Sequence, residues 1–429
     1  MLRRIFPIAL LVAGAACAQT PKPLTLADAV AMAIQNHPQI AAAQNLEAAA
    51  GQRVRESRSA YYPTVEADIT ASQGNSPSRI GAGSLAASSL FSRQGEGFAL
   101  SQLITDLGRT SNLVASSRLS AQAASQMTLA TRDDVVLGVN RAYFGVLQAQ
   151  AMVKVAEETV RARQTLADQV SALGKAQLKS QVDVSFAEVN LSEAQLLLIR
   201  AKANLQQAFA DLGRALGIDT PAVQFQLVDS APSGAPPDGV PGLVAQAIQS
   251  RPELAELRLR YQAAQKFETA ESDLKRPVLS AVAVGGALPY IQQDPRTLSQ
   301  GYEGIALNLS IPVFNGHLFN ARQQEAHFRT LAASQRVRDL QQQVDHDVRV
   351  AWLAASTAYQ RIPVAQQLVS QAELSQRLAK GRYDLGLSSI VELTQSELNL
   401  TQAQIESVAA QYEYQSAFAE LQYTIGALR

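Results

Sequence analysis

Between Leu107 and Leu173 the sequence holds no proline and repeats apolar residues on one helical face, as in Val135, Val139, Ala142 and Tyr143. An uninterrupted helical pattern of about 66 residues would be ~100 Å long at 1.5 Å per residue. No compact domain accommodates such an element. A turn near 174–181 follows, then a helical pattern of about 36 residues to Leu216, while about 33 residues of helix open the chain from Leu24. Placed end to end, the two shorter helices match the long one. The arithmetic predicts a two-ply helical rod with strands at one end.

The plan is written twice. Ala208–Gly217 (AFADLGRALG) and Ala417–Gly426 (AFAELQYTIG) share five of ten positions at an offset of 209. At the same offset Tyr143 returns as Trp352, Val182-Asp183-Val184 as Val391-Glu392-Leu393, and Asn190-Leu191 as Asn399-Leu400. Ala33-Ile34-Gln35-Asn36-His37-Pro38 returns as Ala247-Ile248-Gln249-Ser250-Arg251-Pro252, and Pro63 as Pro277, at an offset of 214. A duplicated plan of this length signals a tandem repeat. The organisation predicted is a first repeat over 19–228, a Pro/Gly/Ser-rich linker over 229–241, and a second repeat over 242–429. The first repeat holds a strand hairpin at 63–104 and a helical hairpin with its tip near 174–181. The second has its strands at 277–312 and its tip near 384–389. Thr25 is the expected cap of the opening helix, and Pro38 marks a joint in it.

The strands carry two faces. Val65, Ala67, Ile69 and Ala71 alternate with Glu66, Asp68, Thr70 and Ser72, and Ile305, Leu307, Leu309 and Ile311 alternate with Ala306, Asn308 and Ser310. A Gly/Ser-rich loop is expected from Asn75 to Gln94, before a strand from about Gly97. At about nine to twelve residues each, the strands are long enough to cross a bilayer when tilted. An isolated hairpin cannot do so, because every backbone group in lipid must be paired. One chain supplies four strands and membrane barrels need at least eight, so a membrane reading requires several copies. Two copies would give eight strands with an interior filled by side chains, and three would give twelve with room for water; Glu66 and Asp68 on the polar face would line the lumen. A soluble four-stranded sheet with one wet face is the alternative on patterning alone.

Composition agrees with long, closely packed helices. Aromatic residues make up only 6%, and Lys+Arg and Asp+Glu both number 37. The balanced charge and the lack of a basic run argue against nucleic acid as a partner. Arg3-Arg4, the apolar run Ile5–Ala15 and Ala16-Cys17-Ala18 read as a signal peptide over 1–18, cut before Gln19. Lipidation at Cys17 is the rival reading. Beyond the leader no run of 18 apolar residues occurs, so a membrane crossing has to use strands.

Taken together, Leu24-Thr25-Leu26-Ala27-Asp28-Ala29, Asn36-His37-Pro38, Tyr62-Pro63, Ile311-Pro312-Val313-Phe314-Asn315-Gly316 and Tyr383-Asp384-Leu385-Gly386-Leu387 resemble the TolC-type outer-membrane efflux proteins, in order, spacing and duplication. The resemblance implies a mainly α fold with a membrane β-barrel part. Tandem long-helix hairpins would form a periplasmic α-barrel, and four strands per chain would join a trimeric 12-stranded outer-membrane barrel. It implies a homotrimer in outer-membrane lipid with a large periplasmic extension. The partners implied are a periplasmic adaptor (membrane fusion) protein and an inner-membrane pump of RND, ABC or MFS type. The function implied is a passive exit duct of a tripartite efflux or type I secretion system, opened by adaptor and pump. The first strand-to-helix joint, Ile104-Thr105-Asp106-Leu107-Gly108, lacks the proline found at Pro312 in the second, which predicts a looser bend.

By position, the resemblance puts a carboxylate–phenol link of the closed gate at Asp183 and Tyr383. Ser388 replaces a gating arginine, Glu392 takes a ring carboxylate position and Gln395 replaces a second. A ring of Glu392 favours cations, less strongly than a doubly acidic one. Against this, Asp183 and Glu392 are also residues that helix starts favour through the dipole. The tips Leu178, Lys179, Ser180 and Leu385, Gly386, Leu387 are the expected adaptor contacts; packing between the turns is the plainer alternative.

No enzyme is predicted. The chain has no G-x-S-x-G, H-E-x-x-H or P-loop. Asp345-His346-Asp347 point in different directions on a helix, so no metal and no cofactor are expected. Two other functions fit the residues less well: a periplasmic coiled-coil adaptor or scaffold, which would have one helical hairpin among β-rich domains, and a duct for protein secretion.

Overall fold

The computed structural model describes residues 23–72, 78–82, 85–90, 93–218, 225–229, 234–291 and 300–428. The leader expected at 1–18, with Cys17, lies outside them. The helices are α1 (Leu26–Asn36), α2 (Pro38–Ser59), α3 (Arg109–Lys175), α4 (Gln181–Leu216), α5 (Val240–Ser250), α6 (Pro252–Ser272), α7 (Leu318–Asp384) and α8 (Ile390–Thr424). The strands are β1 (Pro23–Leu24), β2 (Thr64–Ser72), β3 (Ser78–Ala82), β4 (Leu85–Leu90), β5 (Arg93–Thr105), β6 (Gln226–Leu227), β7 (Val278–Ile291) and β8 (Gln300–Ser310). Both long helices, α3 and α7, have 67 residues. Among the described residues no helix is long and apolar enough to cross a membrane.

Two compact units are present, and each draws on both halves of the sequence. One takes the chain up to His37, Val135–Pro237 and Leu353–Glu420; the other takes Pro38–Asp134, Asp238–Trp352 and Leu421 onward.

The first unit is helical. Its buried alanines recur every seventh residue: Ala187, Ala194 and Ala201 on α4, Ala358, Ala365, Ala372 and Ala379 on α7, and Ala403 and Ala410 on α8. A seven-residue repeat keeps one seam facing its neighbour along a long helix, and small side chains let the helices approach closely. Thr25 caps α1, its hydroxyl accepting from the Asp28 amide at 3.2 Å. The helix stops where the sequence predicts, because a residue before proline is driven out of helical backbone; His37 has φ −71° and ψ 122°. Gly217 ends α4 with φ 68°, its α-carbon set so close to the joint that an added Cβ would lie 2.8 Å from the Cα of His37.

Sequence patterning does not reveal β1 and β6. They pair in parallel, Leu24 beside Leu227. The buried Tyr143 hydroxyl lies 2.9 Å from the Leu24 carbonyl and 2.6 Å from that of Val228, tying the pair to α3. The Tyr412 hydroxyl reaches the Asp229 carboxylate at 3.5 Å and that of Tyr414 donates to the Gly234 carbonyl, so the stretch read as a linker is fastened to α8 at two points.

The second unit holds the sheet, ordered β2-β5-β7-β8 and antiparallel throughout. Strand β5 starts at Arg93, earlier than expected; its glycine-rich start reads as loop by composition, yet the ladder pairs backbone groups and needs no side chain. For the same reason β3 and β4 form an antiparallel pair inside the stretch expected to be a loop. The first strand-to-helix joint is not loose, which corrects the sequence expectation. Leu107 and Gly108 take positive φ of 55° and 117°. The buried Asp106 carboxylate accepts from the Thr110 amide at 2.7 Å and hydroxyl at 2.6 Å, and from the Gly108 amide at 3.3 Å. A side-chain cap therefore fixes this joint without a proline. In the same unit, Gly426 has φ 69° and packs on Ser250, and Arg251 repeats the pre-proline geometry of His37 with φ −69° and ψ 122°. The doubled sequence ending is thus a helix end whose left-handed glycine docks on a proline joint, once in each unit.

Candidate functional site

Register sorts the sheet into two chemical faces. Val65 stands opposite Leu100, Ala67 opposite Phe98, Phe98 opposite Gly285, Ala283 opposite Ile305, and Ala281 opposite Leu307. Paired residues share a face, so this face is predominantly apolar across the four strands, its polar positions being Glu96 opposite Ile69, Gln102 opposite Ala281 and Glu303 opposite Gly285. It is uncovered: Ile69 is 80%, Ile305 87% and Leu307 70% exposed. The other face carries Glu66, Asp68, Ser101, Ser280, Tyr302 and Asn308. Aromatic rings lie over glycines on both sides. Phe98 covers Gly285, and Tyr302 covers Gly97 and Gly286. Among the described residues, strands β2 and β8 each have a free edge. An apolar face and two open edges are what a soluble monomer avoids and what a segment of a closed membrane barrel requires.

The helical tips lie in the other unit. The turn after α3 closes with the Leu178 amide on the Leu173 carbonyl at 2.9 Å, and the turn after α7 with the Leu387 amide on the Arg382 carbonyl at 2.8 Å. Gln177 and Gly386, equivalent in the repeat, take positive φ of 60° and 73°. Residues after such a turn usually fold back onto the helix, but Leu178 and Leu387 stay exposed, as does Leu385 just before Gly386. Ser180 and Asp183 form a reciprocal capping box at the start of α4: the Ser180 amide donates to the carboxylate at 3.1 Å and the Asp183 amide to the hydroxyl at 3.2 Å.

Tyr383 is buried in a cluster with Leu166, Val170, Val184, Ile390 and Leu393. Its hydroxyl has no hydrogen-bond partner among the described residues, and Lys179 Nζ sits 4.2 Å above its ring. Within one chain, then, Asp183 and Tyr383 belong to the same pair of tips but are not bonded; the carboxylate is engaged with Ser180. The Ser388 hydroxyl is likewise without a partner among the described residues. Gln395 donates to Asn399 at 3.0 Å along α8. Glu392 is paired, its Oε1 lying 3.2 Å from Arg382 Nη1. Sequence reasoning missed Arg382. The signal was its place in the last turn of α7, which a short turn sets against the first turn of α8.

A second ion pair stands deeper. Arg163 of α3 and Glu397 of α8 are 2.8 Å apart, with side chains 3% and 11% exposed. The guanidinium N–H is not aimed at the carboxylate oxygen, so neither atom gains a formed hydrogen bond from the contact. Burial lowers the Arg163 pKa against the pull of Glu397 and Glu193. Burial also raises that of Glu397, against Arg163 and Lys380. Asp345, one of the candidate metal ligands set aside above, forms a two-point pair with Arg349 at 2.9 Å.

Similarity to known proteins follows the same layout. The family model described as outer membrane efflux protein matches residues 29–218 and again 243–427. The outer membrane protein TolC of Salmonella enteritidis is 21% identical over 391 residues, 89% of this chain and 77% of its own length. The solved structure of CusC superposes with a TM-score of 0.81 at 20% identity, over 94% of this chain and 92% of that one. The Campylobacter jejuni CmeC outer membrane channel also gives 0.81, at 18% identity, over 94% and 85%. These two are likenesses of fold: a helical barrel part with strands. Matched in both halves, the chain belongs to the outer membrane efflux protein family, the TolC-type channels of the Gram-negative outer membrane, and is not an enzyme.

Proposed function

We propose that three copies of this chain close into one exit duct of a tripartite efflux or type I secretion system, and that small molecules such as drugs, metals or other solutes leave through it passively. The observation that carries the proposal is the uncovered apolar face of a four-stranded sheet with both edges open. Three such sheets joined edge to edge make a twelve-stranded barrel whose apolar side meets lipid and whose interior holds Glu66 and Asp68. The repeats, 19–228 and 242–429, each supply one strand hairpin and one helical hairpin, and three chains supply the staves of a periplasmic tunnel. The exposed leucines at both tips suit docking to the helical hairpins of an adaptor protein, which links the duct to an inner-membrane pump. Asp183, Tyr383, Ser388, Glu392 and Gln395 form the narrow periplasmic end. Residues 1–18 act as a cleaved export signal.

Electron microscopy and mass determination on detergent-extracted protein from outer membranes test this. A threefold hollow cylinder is expected. A monomer or an irregular rod would overturn the barrel and the gate together. Arginine at Ile305 should keep the protein out of the membrane, at about 2–4 kcal/mol near the bilayer midplane, while arginine at Asn308 on the opposite face should be tolerated. Equal effects at the two positions would refute the assignment of faces.

A further inference from the structure

We infer that Arg382 sets the ion selectivity of the periplasmic constriction by neutralising Glu392, so that the narrow end discriminates little between cations and anions; this deepens the duct reading above and rests on it. Every acidic group at the second tip already has a cation. Glu392 lies 3.2 Å from Arg382 and Asp384 lies 3.4 Å from Lys380. At the first tip the Asp183 carboxylate is held by its capping box, and Lys179 lies over the Tyr383 ring. Across residues 174–184 and 380–392, Lys175, Lys179, Lys380 and Arg382 face Asp183, Asp384 and Glu392, four positive charges against three. A ring of Glu392 alone would put three uncompensated carboxylates at the axis of a trimer. With Arg382 on each, the same ring carries no net charge. The pair is partly exposed, so its contribution to stability is small. The field it leaves in the lumen does not depend on that stability, because the two charges stay within one screening length of each other, about 10 Å at 0.1 M salt. The duct would then pass anionic solutes as readily as cationic ones.

Reversal potentials of the purified protein in planar bilayers under a salt gradient test the inference. Arg382→Gln is expected to raise the cation-over-anion permeability ratio about twofold or more at 0.1 M salt. Glu392→Gln should lower it, and the double variant should return it to the parent value. An unchanged ratio in both single variants would overturn the inference. So would a larger conductance at an unchanged ratio in Arg382→Gln, since Arg382 would then be a latch and not a selectivity group. A protein that forms no channels at all would instead sink the duct reading, which keeps the two failures apart.

Discussion

Arg163 and Glu397 provide the most demanding test of the helical packing. The pair joins α3 to α8 with side chains 3% and 11% exposed and a 2.8 Å separation. Deleting one partner of a buried pair leaves the other charge without compensation and costs about 3–5 kcal/mol, whereas replacing both with apolar groups is often neutral or favourable. Arg163→Met and Glu397→Leu are therefore each expected to destabilise the region, and the double variant to recover most of the loss. Burial raises the Glu397 pKa and lowers that of Arg163, so the interior opposes both charges. Detergent-solubilised outer-membrane proteins seldom unfold reversibly, so a global melting free energy is the wrong readout. Hydrogen exchange of α8 amides around residues 393–404 reports local opening instead. At about 1.4 kcal/mol per decade, the single variants should exchange roughly 10²- to 10⁴-fold faster than the parent. The coupling should appear as strong non-additivity in the double-mutant cycle. Single variants within a few-fold of the parent, or a double variant as fast as the faster single one, would refute the reasoning.

Other positions give shorter predictions. Gly217→Ala has to hold φ 68° with its Cβ 2.8 Å from His37 Cα, and should lower stability by about 1–3 kcal/mol; Gly213→Ala, in open space within α4, should raise it by about 0.5–1 kcal/mol. Thermal inactivation half-lives of the two variants should move in opposite directions. In Gly286→Ala the new methyl would collide with the Glu96 carbonyl oxygen and fall 2.7 Å from Gly97 Cα, and the amount of folded protein recovered from outer membranes should drop. Burial works against the Glu253 carboxylate, but its bonds to Arg251 at 3.0 and 3.3 Å outweigh that and hold its pKa below the ordinary carboxylate value. A lowered folded pKa means stability that is present above the ordinary value and lost as pH falls through the lowered one. Acid should accordingly loosen the Arg251 joint, and Glu253→Gln should reduce the difference between thermal inactivation half-lives at pH 7 and pH 3.

Much of this architecture is legible along the chain. The joints at His37 and Arg251 follow from the prolines after them, the α4 tip from the turn near 174–181, and the sheet faces from alternation in β2 and β8. Less legible were contacts made by backbone or across distance. The pairing of β1 with β6 involves two residues each, too few for any period. The first strand-to-helix joint looked loose because the sequence lacks a proline, whereas Asp106 folds back to cap the turn. Ser388 brings no charge to its tip, and the partner of Glu392 is Arg382, from the other side of the turn.

By itself the sequence determines the periodic elements and their duplication, because heptad alanines, alternating strands and left-handed glycines act within a few residues of their own position. It leaves open whether the sheet stays alone in water, which the exposed apolar face of the folded sheet bears on. Only the tertiary structure decides which charges meet. Arg382 reaches Glu392 and Arg163 reaches Glu397 because helices far apart in the chain are laid side by side, and an ion pair depends on distance in space, which no spacing along one helix specifies.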